Sequence, residues 1–146
     1  MTPTQPDDSA KGPILEAAQR LFAREGFEKV SLRMLTQEAG VNLASVNYHF
    51  RSKQGLIDAV IAGYVNPVNE ARLALLDTAE SSSGGHALPL DTILDCFMRP
   101  VLEAVRKSPI SEQLFFQLMG RCMNNQSQKT MPDTVLGLFG QVVTRF

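Results

Sequence analysis

The sequence predicts an all-α protein, on three observations. Apolar residues recur every three to four positions in segment after segment, as the buried face of a helix requires. No stretch alternates apolar and polar residues in the manner of a half-buried strand. Glycine, serine, asparagine and proline stand between the periodic segments, where helices begin and end. The 146 residues are 44% hydrophobic and 20% charged, enough for one compact domain or for a small domain joined to a second of similar size.

Residues 1–12 hold Pro3, Pro6, Asp7, Asp8, Ser9 and Gly12 without apolar periodicity and read as a flexible arm. Pro13 suits the first turn of a helix, where its missing N–H costs nothing. Ile14, Leu15, Ala18, Leu21 and Phe22 then form one stripe, and Gly26 stands at its end. Ser31 can cap a short second helix with Leu32, Leu35 and Ala39 inward, ended by Gly40. Asn42 can cap a third helix, Leu43 to Phe50, and Ser52 a fourth whose first apolar positions are Leu56, Ile57, Val60 and Ile61. Pro67 is expected to break or kink that fourth helix, with a continuation through Leu76. Ser81 to Pro89 reads as a loop. Three further helical stripes follow: Ile93 to Val105 with Pro100 inside, Leu114 to Cys122, and Val135 to Phe146.

Two short helices joined by a tight glycine turn and preceded by a longer helix make a helix-turn-helix. In its third helix Val46 and Phe50 define the buried side, so Ala44, Ser45 and Tyr48 are expected to point outward, flanked by Asn47 and His49. Such a small, polar and aromatic face suits a major groove. Ala44 can touch a thymine methyl, Asn47 can pair bidentately with adenine, and Ser45 can serve either base type. Tyr48 and His49 suit phosphate oxygens. Ser31 and Ser52 mark helix N-termini, where anions bind, and Lys53 adds charge at the second. Arg33 can reach backbone or a guanine. The net charge of −1 gives no global pull on nucleic acid, but Lys29, Arg33, Arg51 and Lys53 face Glu38 alone within residues 29–54, a local balance of +3.

The run VSLRMLTQEAGVNLASVNYHFRSKQGL, Val30 to Leu56, resembles the DNA-binding signature of TetR-family repressors. The shared elements are Gly26–Phe27 after the first helix, the capped second helix, the Ala39–Gly40–Val41 turn, Tyr48–His49–Phe50 closing the recognition helix, and Ser52–Lys53. They stand at the family's spacing over residues 13–60. The wording of the recognition helix, from Asn42, is similar to that of members tied to fatty-acid metabolism. The resemblance implies an all-helical homodimer on a palindromic operator, with half-sites about one helical turn, roughly 34 Å, apart. It also implies a second helical region, 61–146, that holds a small apolar effector and the dimer interface, with effector entry releasing the DNA. Members continue through two further long helices, so the chain as given reads as shortened at its C-terminus.

Phe97, Phe115, Phe116, Met119 and Met123 are the expected walls of the effector pocket, since Met and Phe suit adaptable apolar sites. Cys96 and Cys122 read as reduced, partly buried thiols of a cytoplasmic protein. Neither cofactor nor metal is expected: the only histidines are His49 and His86, and no motif brings a nucleophile to a base, so no enzyme is expected. No stretch has the apolar length of a membrane span. The alternative to a ligand-released repressor is a helical module that regulates through a protein partner, which a large exposed apolar patch after Leu90 would favour.

Overall fold

A computed structural model describes residues 8–124 together with 140, 144 and 145. A single 3-10 turn, Asp8–Ala10, leads into six helices: α1 (Lys11–Glu25), α2 (Leu32–Ala39), α3 (Leu43–Phe50), α4 (Lys53–Ser82), α5 (Leu90–Lys107) and α6 (Glu112–Asn124). No strand occurs among the described residues. The stripe expected from Val135 to Phe146 lies, but for three residues, outside them. The chain divides into two compact units, residues 1–61 with 109–128, and residues 62–108 with 129–146.

Local chemistry sets the helix ends of the first unit. The Ser31 hydroxyl accepts the Met34 N–H at 3.2 Å, and the Asn42 carboxamide accepts the Ser45 N–H at 2.8 Å, each cap being worth about 1 kcal/mol. Gly40 ends α2 in the left-handed conformation, φ 67°, donating its N–H to the Thr36 carbonyl. Pro13 stands third in α1, not first, still within the turn whose N–H groups need no partner.

Ile14, Ala17, Ala18, Leu21 and Phe22 of α1 are buried with Phe27, Val30, Leu35, Val46, Phe50, Leu56, Ile57 and Val60. The Phe22 and Phe27 rings meet at 5.2 Å. Helix α6 closes this core with Phe115 and Leu118 and packs on α1. Its Arg121 donates to the Ala23 and Arg24 carbonyls at 3.1 Å each, satisfying two of the acceptors left open where α1 ends. The Arg20–Glu38 ion pair, 3.3 Å and partly exposed, ties α1 to α2 and contributes no more than about 1 kcal/mol.

In the second unit Tyr64, Leu76, Cys96 and Val105 are buried together with the polar Asn69 and Arg72. The break expected at Pro67 does not occur, and α4 runs through it to Ser82. Pro67 and Gly63, whose carbonyl loses its donor, are both exposed, so water can serve the freed oxygen, and Gly63 has no side chain to crowd the ring. Ser81 and Ser82 therefore belong to the helix. Their hydroxyls bond back to the Asp77 and Thr78 carbonyls, at 2.7 and 2.9 Å. No described helix is long and apolar enough to cross a membrane.

Candidate nucleic-acid interface

Helix α3 divides cleanly by exposure. Leu43, Ala44, Asn47 and Tyr48 are exposed, whereas Ser45, Val46 and Phe50 are buried and His49 is half-buried. At 100° per residue the four exposed positions occupy one arc of about 140°. Both α1 and α2 pack against the other side. Tyr48 is 60% exposed and Leu43 49%. The arc carries no acidic side chain.

Ser45 does not face outward as expected. Two neighbouring helices bury a wider arc than Val46 and Phe50 alone define, and Ser45 falls within it, 6% exposed. Its hydroxyl donates to the Asn42 carboxamide oxygen at 3.1 Å, so it serves the cap. His49 sits on the inner edge, its ring edge-on to Tyr48 at 5.0 Å and tilted against Phe50 at 6.0 Å. Leu43 and Arg51 join this face without being expected there. Leu43 lies on the same arc as Asn47, a signal present in the helical spacing, and Arg51 is exposed one turn beyond Asn47.

The remaining expected contacts lie around α3. Ser31 and Arg33 are exposed at the start of α2, and the Arg33 guanidinium makes no ion pair among the described residues. Glu38, the one acid between Lys29 and Gln54, is held by Arg20, which leaves the local positive charge uncancelled. Lys53 is half-buried and its ammonium donates to the Glu28 carbonyl at 3.3 Å, which holds it beside the α1–α2 turn. The turn from α3 to α4 is tight. Arg51 adopts φ 63°, its N–H reaches the Asn47 carbonyl at 2.9 Å, and the Ser52 hydroxyl accepts the Gly55 N–H at 3.0 Å.

The expected pocket residues fall in both units. Phe97 belongs to the second unit, and Phe115, Phe116 and Met119 to the first. Phe115 is core, 3% exposed, because α6 turns it onto the first unit. Phe116 is 56% exposed and, with Gly26, Phe27, Lys29, Gln117 and Arg121, lines an open cleft of about 660 Å³. The Met123 side chain lies outside the described residues.

Cys96 is buried in the second unit, and Cys122 lies on α6, where burial pushes its thiol up to about 11. A thiol so raised holds little thiolate at neutral pH. Alkylation of Cys122 by iodoacetamide at pH 8 is expected to run about a hundredfold slower than that of an unburied thiol, quickening tenfold per pH unit toward 11. Mass-spectrometric labelling rates checked across pH 7 to 10 test this, and fast labelling at pH 7 would contradict it.

Residues 14–60 match the family model described as bacterial regulatory proteins, tetR family. The amino-terminal domain belongs to the TetR family. A curated relative, the HTH-type transcriptional repressor KstR2 of Mycolicibacterium smegmatis, is 29% identical over 97 residues that make up 66% of this chain and 43% of that protein. The chain spans less than half the length of the curated relatives it matches. Among solved structures, a tetR family transcription regulator from Shewanella sp. PV-4 superposes with a TM-score of 0.59 at 24% identity, covering 93% of this chain and 69% of that one. A transcriptional regulator from Saccharomonospora viridis in complex with choline gives 0.59 at 21%, covering 95% and 65%. These likenesses extend the shared fold beyond the TetR-type head to almost the whole chain.

Proposed function

We propose that this protein is a sequence-specific DNA-binding transcriptional regulator, a repressor of TetR type, that reads the major groove with α3. The exposed, acid-free arc of Leu43, Ala44, Asn47 and Tyr48 carries this reading. Small Ala44 lets the helix backbone approach base edges, and Asn47 has the donor and acceptor an adenine needs. Tyr48, Arg33, Ser31 and Lys53 border the arc and suit phosphate oxygens, with His49 at its inner edge. Ser45 serves the fold and is left out of the interface. Binding as a homodimer to a palindrome, with release by a small effector bound in the second unit, completes the proposal. The family resemblance and the choline-bound neighbour support it.

A second reading has its own support. Leu90, Leu94, Met98 and Leu102 are all about half exposed or more and recur every four residues on α5, an apolar stripe of the kind that meets another protein surface. Regulation through a protein partner would use such a stripe.

Fluorescence-anisotropy titration against promoter-region duplexes from the source genome, at two salt concentrations and with molecular mass measured alongside, tests the first reading. Selective binding by a dimer supports it, and binding that is equal for all duplexes sinks it. In the same titration Lys53→Ala is expected to weaken all duplexes alike and to reduce the salt slope by about one unit. An unchanged slope removes Lys53 from the phosphate contacts.

A further inference from the structure

One buried side chain of the second unit carries a charge that no acidic side chain neutralises among the described residues. Arg72, 8% exposed, lies with its guanidinium carbon 3.8 Å from the centre of the Phe97 ring. Its Nε donates to the Phe97 carbonyl at 2.9 Å and its Nη1 to the Asn69 carboxamide oxygen at 3.2 Å. No carboxylate pairs with it among the described residues, and its Nη2 donates to none of them. Asn69 is 1% exposed, and with its oxygen taken by Arg72 its Nδ2 is a buried donor with no acceptor among the described residues. One turn earlier on α4, the buried oxygen of Asn66 has no donor among the described residues.

Buried cations are ordinarily paired, and buried amide donors ordinarily bonded, because each loses its water on folding. A guanidinium that served only as a strut between α4 and α5 would not need an unsatisfied amide donor beside it. Two donors on side chains joined by the Nη1–Oδ1 bond, one of them charged, suit the two oxygens of one anion, and the guanidinium fork matches the spacing of a carboxylate.

We propose that Arg72 and Asn69 form the polar end of a ligand site in the second unit that takes the carboxylate of a small, otherwise apolar organic acid. The site deepens the effector half of the function proposed above and rests on it. Its ligand is opposite in charge to the choline carried by the Saccharomonospora viridis neighbour. Asn66 offers its oxygen to a hydroxyl or amide hydrogen on the same molecule.

Isothermal titration of the whole chain without DNA tests the site, with octanoate and benzoate set against octanamide and benzamide. At least one acid is expected to bind, and its amide to bind roughly ten- to a hundredfold more weakly, the span of a charged hydrogen-bonded contact. Arg72→Lys keeps the charge, loses the fork, and is expected to bind that acid about tenfold more weakly while binding the amide as before. Asn69→Asp supplies the missing carboxylate from within, so it is expected to melt higher than the wild type and to lose the acid altogether. Binding by neither acid, equal binding of acid and amide, or undiminished acid binding by a folded Asn69→Asp chain would each overturn the proposal. DNA affinity measured separately with and without the acid keeps the two readings apart: acid binding with unchanged DNA affinity leaves the site standing and removes its regulatory role.

Discussion

Replacing Gly55 with alanine lowers the stability of the reading head by about 3 kcal/mol or more, a fall in melting temperature of roughly 10 °C. In an exposed helix this substitution ordinarily stabilises by up to about 1 kcal/mol, because alanine restricts the unfolded chain and glycine does not. The sign reverses here for a local reason. Gly55 stands in the first turn of α4, and a Cβ there would lie far inside van der Waals contact of the Phe50 carbonyl oxygen, with the carbonyl carbon at 3.3 Å. That oxygen cannot withdraw freely, since it also accepts the Ser52 N–H at 2.7 Å within the turn. Relief would require either α4 to shift or the Arg51–Ser52 turn to open, and each would disturb the buried Phe50, Leu56 and Ile57. Circular-dichroism melts of the two proteins measure the difference. An unchanged or raised melting temperature would show that the turn is looser than described.

Tyr48→Ala gives the opposite pattern, a loss of DNA affinity of about tenfold with no change in melting. Tyr48 is 60% exposed and its ring meets that of His49 edge-on at 5.0 Å, so its removal leaves no buried cavity. Truncation removes one hydroxyl donor at the edge of the recognition face together with the flat ring that positions it. Anisotropy at fixed salt reads the affinity, and a melt of the same sample reads the fold. Equal affinity would place Tyr48 outside the interface, and a lowered melting temperature would make its role structural.

The parts of this fold that are legible in the sequence are those set by neighbours in the chain. Ser31 and Asn42 cap α2 and α3 because a side-chain oxygen three residues ahead of an open N–H can reach it, and Gly40 ends α2 because it alone adopts the left-handed turn without strain. Distance along the chain defeats the same logic. Arg121 ends up on the carbonyls of Ala23 and Arg24, 98 and 97 residues away, and no periodicity within α6 says which unit its stripe will cover. The stripe alone thus fits Phe115 to a pocket wall as well as to a core, and the structure buries it in the first unit. Ser45 was misplaced because a helical wheel fixes angles but not the width of the buried arc, which two flanking helices enlarge. Arg72 carries a charge that ordinarily marks surface, and only the approach of Phe97 reveals it as buried.

The central claim, that the exposed arc of α3 reads DNA sequence, is tested most directly by selection from a pool of randomised duplexes. The whole chain binds the pool at physiological salt, and the bound fraction is sequenced over successive rounds. A recognition helix in the major groove predicts enrichment of one shared motif, its two halves about 10 base pairs apart if the chain binds as a dimer. Bound fractions that stay as random as the starting pool, with binding that vanishes as salt is raised, would mean that the basic patch holds DNA without reading it.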